Sequence, residues 1–182
     1  MSLSKGNIWK NSMNYGAIVG FSLIIVSVIF YLFNITDNVI GAVANYAVMI
    51  IGLVVGTKNL RDKMDGGSIS YARALGSGVL ISFFASLILG FYMYVFMKFI
   101  DPDFQNKMYE IMEQKMIEQG LPDDAIERAM EMSKKFMTPV FLMVSTFFGF
   151  TFWGFLFSLI TSIFIKKKND TFEDAMTEIR EE

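Results

Sequence analysis

The chain contains no cysteine and no histidine among its 182 residues. That excludes disulfides, thiol nucleophiles, thiolate or imidazole metal ligands, and the side chain whose ordinary pKa lies closest to neutral pH. Only three prolines occur, and no discontinuous Gly-Pro helix marks a binding site at a membrane midplane. Net charge is only −2, which gives no argument for a nucleic-acid partner. The long apolar runs also lack ionisable residues, so the usual signature of proton relays, ion pathways and coupled transport is missing. What the chain does have is apolar surface. Hydrophobic residues make up 53%, more than one soluble domain buries.

That surplus falls into four stretches. The first, 13–35, lies within a run from Asn11 to Thr36 without a single charge, and about 20 apolar residues suffice to cross a hydrocarbon core. A signal peptide is the competing reading, with Ala42-Val43-Ala44 as a cleavage site. The run exceeds a signal core and the Ala-Val-Ala lies inside the next apolar run, so a retained helix is favoured. The polar turn Asn34 to Asn38 leads into a second span, 39–57, and the two form an antiparallel hairpin. The third span is 74–97 and the fourth 139–165. Thr138 as N-cap and Pro139 in the first turn set the start of the fourth. The expected fold is an all-α integral membrane protein, a four-helix transmembrane bundle forming one membrane domain over 1–182.

Orientation follows from Lys and Arg, which are held on the cytoplasmic side. With four spans, the N-terminus, the central loop and the tail share one side. They carry ten of the sixteen bases, including Lys166, Lys167 and Lys168. Both termini are therefore expected in the cytoplasm and the protein in the inner membrane.

Small residues recur at four-residue spacing in every span, which places them on one helical face where backbones approach closely. They are Gly16 and Gly20; Gly52 and Gly56; Gly78, Ser82, Ser86 and Gly90; and Ser145 with Gly149, then Gly154 with Ser158 and Ser162. Packing within one bundle explains them, and a homodimer through one such face is the sharper reading. Asn14, Asn45 and Tyr46 are the polar candidates inside the spans, suited to interhelical hydrogen bonds. Phe147, Phe148, Phe150, Phe152, Trp153, Phe155 and Phe157 are expected to face lipid.

Between spans two and three, Lys58, Arg61, Lys63 and Arg73 stand with Asp62 and Asp65 interleaved. Arg61 and Asp65 have the i, i+4 spacing of a helical ion pair, Gly66-Gly67 supplies a turn, and Ser70 is placed to cap the third span. The same stretch, Arg61-Asp62-Lys63, Gly66-Gly67, Ile69-Ser70-Tyr71 and Ala74 leading to Gly78, resembles the motif of the bacterial membrane-protein family known as domain of unknown function four-one-nine-nine. The order of elements is similar over nearly the whole chain. The resemblance implies an architecture of four spans and no activity, and it marks Arg61, Asp62, Gly66, Gly67, Ser70 and Tyr71 as the family motif.

The segment 101–137 reads as an extracytoplasmic amphipathic helical hairpin between spans three and four. Asp101 with Pro102 starts its first helix, Gly120 stops it and Pro122 opens the second. Phe104, Met108, Ile111, Met112 and Met116 recur at helical spacing, as do Ile126, Met130 and Met137. Thioethers select Cu(I), which makes Met108, Met112 and Met116 a candidate soft-metal site. A stripe at this spacing also serves as adaptable apolar filler, and the expectation is no metal and no cofactor. Calcium at Asp101, Asp103, Gln105 and Asn106 is discarded, because Asn106 and Met112 stand where a calcium loop needs Gly and Glu. The tail 169–182 reads as a cytoplasmic amphipathic helix with Phe172, Ala175, Met176 and Ile179 on one face, suited to docking on the bundle or on a protein partner.

No constellation here specifies a reaction. A non-enzymatic accessory, scaffold or assembly protein in the lipid bilayer is the first reading. Transport or binding of a lipid or small apolar solute is the alternative. Catalysis by Asp123, Asp124 or Glu127 is remote, since acids at a helix start interact favourably with the helix dipole and need no other explanation.

Overall fold

The computed structural model describes residues 7–33 and 39–167. Among these residues six α-helices follow one another: α1 Ile8–Leu32, α2 Val39–Asn59, α3 Tyr71–Val95, α4 Phe104–Glu118, α5 Asp123–Phe136 and α6 Pro139–Ile165. Helices α2 and α3 each run on into a π-helical turn, Leu60–Met64 and Phe96–Ile100. The four long helices, counted with those turns, are long and apolar enough to cross a membrane. The turn 34–38 and the tail 169–182 lie outside the described residues.

Local chemistry sets the helix ends. Asn7 caps α1 by accepting from the Lys10 amide at 3.2 Å, so this helix begins five residues before the expected span. Ser70 caps α3 and Thr138 caps α6, each accepting from the amide three residues on, and Pro139 fills the first turn of α6. Gly120, at φ 73°, ends α4 in the left-handed region that suits glycine. Asp123 and Asp124 open α5 while Lys134 and Lys135 close it, in the sense favoured by the helix dipole. One start differs from expectation: α4 begins at Phe104 after Asp103, because the π-helical turn carries the preceding chain on to Ile100 and closes with the Asp101 amide on the Phe96 carbonyl at 2.9 Å.

Helix α3 is the centre of the bundle, packed by α6 on one side and α1 on the other, with α2 against all three. Its contact with α6 is built from small side chains. A Cβ at Gly78 would collide with Ser158, and one at Gly154 with Ser82. Ser86 and Thr151 share a hydrogen bond at 2.9 Å, and a Cβ at Gly90 would stand 3.0 Å from the Met143 carbonyl oxygen. Toward α1, a Cβ at Gly16 would come within 2.5 Å of the Phe84 Cβ, and one at Gly20 within 3.0 Å of the Ile88 Cβ. Gly52 faces Val19, and Gly56 faces Ile81 and Tyr15. Val19, Leu23, Met49, Leu53, Ile81, Ala85 and Leu89 fill the space between, with Phe150 and Phe157 of α6 packed on them.

Gly149 departs from this pattern and corrects the expectation of packing there, for nothing lies within 4 Å of its would-be Cβ. Five residues separate it from Gly154, so it points about 140° away around the helix. The small pair Ser145 and Gly149 therefore lies off the face that meets α3. We expect Gly154→Leu to lower the stability of the detergent-solubilised protein by about 1–3 kcal/mol through overpacking. Gly149→Leu should stay within about 0.5 kcal/mol, as surface changes do. Thermal unfolding of the two variants checks this, and equal losses would mean that Gly149 is packed after all.

Candidate functional site

The motif residues gather where the ends of α2 and α6 meet the start of α3. After the π-helical turn the Asp65 amide bonds the Leu60 carbonyl at 2.9 Å and the Gly67 amide bonds the Arg61 carbonyl at 2.8 Å. This reversal requires left-handed backbone, supplied by Gly66 at φ 68° and Gly67 at φ 88°. It brings Ile69 alongside Lys167, and the two exchange both backbone hydrogen bonds, at 2.9 and 3.0 Å. Beneath that bridge Leu60, Ile69, Ala74 and Ile165 are buried together, with Ile8, Val54 and Met64 against them.

The polar side chains of the motif close the same joint. Arg61 Nη1 donates to the Ile165 carbonyl at 3.1 Å, one of the last carbonyls of α6, which have no partner inside their own helix. Asp62 holds the guanidinium in place, accepting from Nε at 2.6 Å and from Nη2 at 3.0 Å. Tyr71 Oη donates to the Leu159 carbonyl at 3.3 Å, six residues before Ile165 on α6. Arg73 donates in a fork to Asp65, Nε to Oδ2 at 2.5 Å and Nη2 to Oδ1 at 2.8 Å. The expected Arg61–Asp65 pair is therefore replaced by Arg61–Asp62 and Arg73–Asp65. The cause is the π-helical turn: its bonds skip five residues, so positions four apart no longer align. The same end holds a buried amide network that the sequence reading missed. Asn11 donates to the Gly56 carbonyl at 2.9 Å and accepts from Asn59 Nδ2 at 2.8 Å, and Ser12 donates to the Ser77 carbonyl at 3.3 Å.

Asn14, expected to bond between helices, is exposed instead, because Asn11, three residues earlier, takes the inward position. Tyr46 packs its ring against Trp153 and Phe157. Asn45 keeps its side chain partly buried, and among the described residues its Oδ1 has no hydrogen-bond donor. The aromatic run of α6 divides by face. Phe148, Phe152, Trp153 and Phe155 are exposed, while Phe147 meets Phe83 edge-on and Phe150 and Phe157 join the core.

At the opposite end of the bundle Asp101 is buried, 6% exposed, between three elements. It accepts from Tyr31 Oη of α1 at 2.9 Å and from Lys107 Nζ of α4 at 2.9 Å. The Lys107 bond, and after it the Tyr31 bond, hold the Asp101 carboxyl below its ordinary range against the opposing effect of burial. Lys107 is raised in turn, chiefly by Asp101. Two aromatic contacts attach the hairpin, Phe104 edge-on to Phe96 and Phe136 against Phe141, and within it Gln105 Nε2 donates to the Met137 carbonyl. Asp124 and Arg128 pair at 3.4 Å on the exposed face of α5. Met108, Met112 and Met116 share a groove on the hairpin with Met137. Among the described residues no three His, Cys, Asp or Glu are grouped to hold a metal.

Four long apolar helices joined by a closed polar clamp at one end and carrying a helical hairpin at the other define the class: a four-helix bundle of membrane-span dimensions. Residues 14–167 match the family described as protein of unknown function, DUF4199, and the chain belongs to that family. No curated protein and no solved structure matches it.

Two predictions follow from the joints at the two ends. Replacing Arg61 by Met removes the donor to Ile165 while keeping most of the side-chain stem. We expect a loss of about 1.5–3 kcal/mol, the range for a charge-assisted hydrogen bond, and faster hydrogen exchange at the Lys166 and Lys167 amides. Unchanged exchange there would mean that Arg61 does not close α6. At the other end the depressed Asp101 carboxyl contributes stability above its unfolded pKa of about 3.9, and that contribution is lost as pH falls through the lower folded value. Lys107, raised, contributes below its unfolded pKa and loses that contribution only as pH rises through the higher folded one. The joint is therefore intact at neutral pH and fails in acid. Limited proteolysis at 101–107 should show a step below about pH 4 in the parent and, at neutral pH, already in Asp101→Asn; cleavage independent of both would refute the joint.

Proposed function

We propose that the protein is a non-enzymatic accessory, scaffold or assembly protein of the inner membrane, with the clamp end in the cytoplasm and the hairpin outside. The observation that carries this reading is where the motif side chains go. Arg61 and Tyr71 bond backbone carbonyls of α6, Ser70 caps α3, and Arg73 meets Asp65. A family motif whose hydrogen bonds fix its own chain suits a protein valued for its shape. The orientation is supported by the bases of the clamp end, Lys10, Lys58, Arg61, Lys63, Arg73, Lys166 and Lys167, and by the excess of acids in the hairpin. Large apolar side chains stand exposed on that hairpin, Ile117 at 61% and Met132 at 63%, and a protein partner is the occupant proposed for them.

One feature favours the alternative of lipid or apolar-solute binding. Phe21 and Ile24 of α1 with Leu87, Ile88, Phe91 and Tyr92 of α3 line an almost wholly apolar groove of about 530 Å³. Purification from native membranes in mild detergent, with mass spectrometry of bound proteins and lipids, separates the readings. A stoichiometric protein lost from the double variant Ile117→Asp, Met132→Asp supports the accessory role. Retention of one defined lipid alone, lost in Leu87→Asn with Phe91→Asn, sinks that role in favour of lipid binding.

A further inference from the structure

We propose that the clamp end of the seam between α2 and α6 binds the headgroup of one anionic phospholipid, with Lys58 and Lys167 as its cationic contacts. Helices α2 and α6 run side by side in the same direction, since Tyr46 meets Trp153 and Phe157, Met49 reaches toward Gly154, and Arg61 bonds the Ile165 carbonyl. Their ends therefore lie at one level. Lys58 stands in the last turn of α2 and Lys167 just beyond the end of α6. Both act through space on the charge of Asp62, so two ammonium groups approach one carboxylate from two different helices.

Three features separate this cluster from bases that merely mark one side of a membrane. The acid at its centre is already occupied: Asp62 accepts the Arg61 fork with both oxygens, and among the described residues neither lysine reaches a carboxylate at ion-pair distance. Three bases against one acid leave a surplus of positive charge for an external anion. The bases also start from fixed points. Arg61 is held on the Ile165 carbonyl, and the backbone of Lys167 is held by both bonds to Ile69, while the flexible lysine stems let each ammonium reach headgroup depth. Finally, an apolar bed lies beside them. Trp153, Ile160 and Phe164 are exposed and recur at helical spacing on the side of α6 where Trp153 meets Tyr46 of α2. Ile51 is exposed too, two turns before Lys58 on the same face of α2. A headgroup on the bases with acyl chains over these side chains uses both features, whereas a free phosphate would use only the charge. Basic sites between membrane helices select anionic headgroups in this way. The inference rests on the placement of the four long helices in a bilayer and not on the accessory role. Co-flotation of the chain with phosphatidylcholine liposomes tests that placement separately.

Native mass spectrometry of the full chain in detergent, titrated with phosphatidylglycerol and with phosphatidylcholine of the same acyl chains, tests the site. We expect one phosphatidylglycerol to bind in preference to phosphatidylcholine. A lysine near the membrane surface contributes about 1 kcal/mol toward an anionic lipid, so Lys58→Gln and Lys167→Gln should each weaken binding about fivefold. Lys10→Gln removes one charge at the same end but outside the set that acts on Asp62, and it should leave binding unchanged. The double variant Leu87→Asn, Phe91→Asn in the groove between α1 and α3 should do the same, and circular dichroism verifies that each variant is folded. Equal binding of the two lipids, full binding in both lysine variants, equal weakening by either control, or displacement by inorganic phosphate would each overturn the proposal.

Discussion

The close approach of α3 to its neighbours is the constraint on which the remaining architecture depends. In lipid, helices gain little by hiding apolar side chains from one another, so association rests on tight packing and on hydrogen bonds between helices. Helix α3 meets that requirement on two faces. Gly78, Ser82, Ser86 and Gly90 admit α6, while Ile81, Ala85 and Ile88 receive Gly16 and Gly20 of α1. With both neighbours drawn so near, only small or well-fitted groups remain at the centre. Among the buried polar side chains there, Asn11, Ser12 and Ser82 donate to backbone carbonyls.

Packing along the helices does not fix how far each slides along its axis, and the clamp does. Ile69 and Lys167 lock the end of α6 to the start of α3 through backbone bonds, and Arg61 takes the Ile165 carbonyl. A shift of α6 by one residue would break all three bonds and move Ser158 away from Gly78. The register of the small-residue contacts and the closure of the clamp thus depend on each other.

Much of this was legible in the sequence because its signals are local. Ser70, Thr138 with Pro139, Gly120 and Pro122 mark helix ends through chemistry within a few residues. The four apolar runs declare the long helices by length. What escaped depends on distance. Arg61 had two acids at plausible local spacing, and the choice between them, with the Ile165 carbonyl 104 residues away, was set by a π-helical turn that no periodicity announces. Asn11 and Asn14 sit one turn apart, and only the placement of α2 decides which is buried. Gly149 shows the same limit from the other side: four-residue spacing identifies a smooth face and does not say whether another helix lies against it.

The two ends of the bundle are closed by bonds of different kinds, and the difference bears on how firmly each end is held. At the clamp end, backbone pairing, a buried aliphatic cluster and a guanidinium on a helix terminus act together, so no single bond releases α6. At the other end the hairpin is tied on by the Tyr31 bond to Asp101 and by two aromatic contacts, Phe104 on Phe96 and Phe136 on Phe141, while Lys107 on Asp101 and Gln105 on Met137 hold it together internally. Regions with few buried contacts open at lower free energy than the core, and α4 buries no residue completely while α5 buries only Ile126. The hairpin can therefore rearrange without disturbing the four long helices. A clamp that makes one end rigid, and a hairpin with exposed apolar side chains held at the other end by a few contacts, divide the chain into a firm frame and a more loosely attached element.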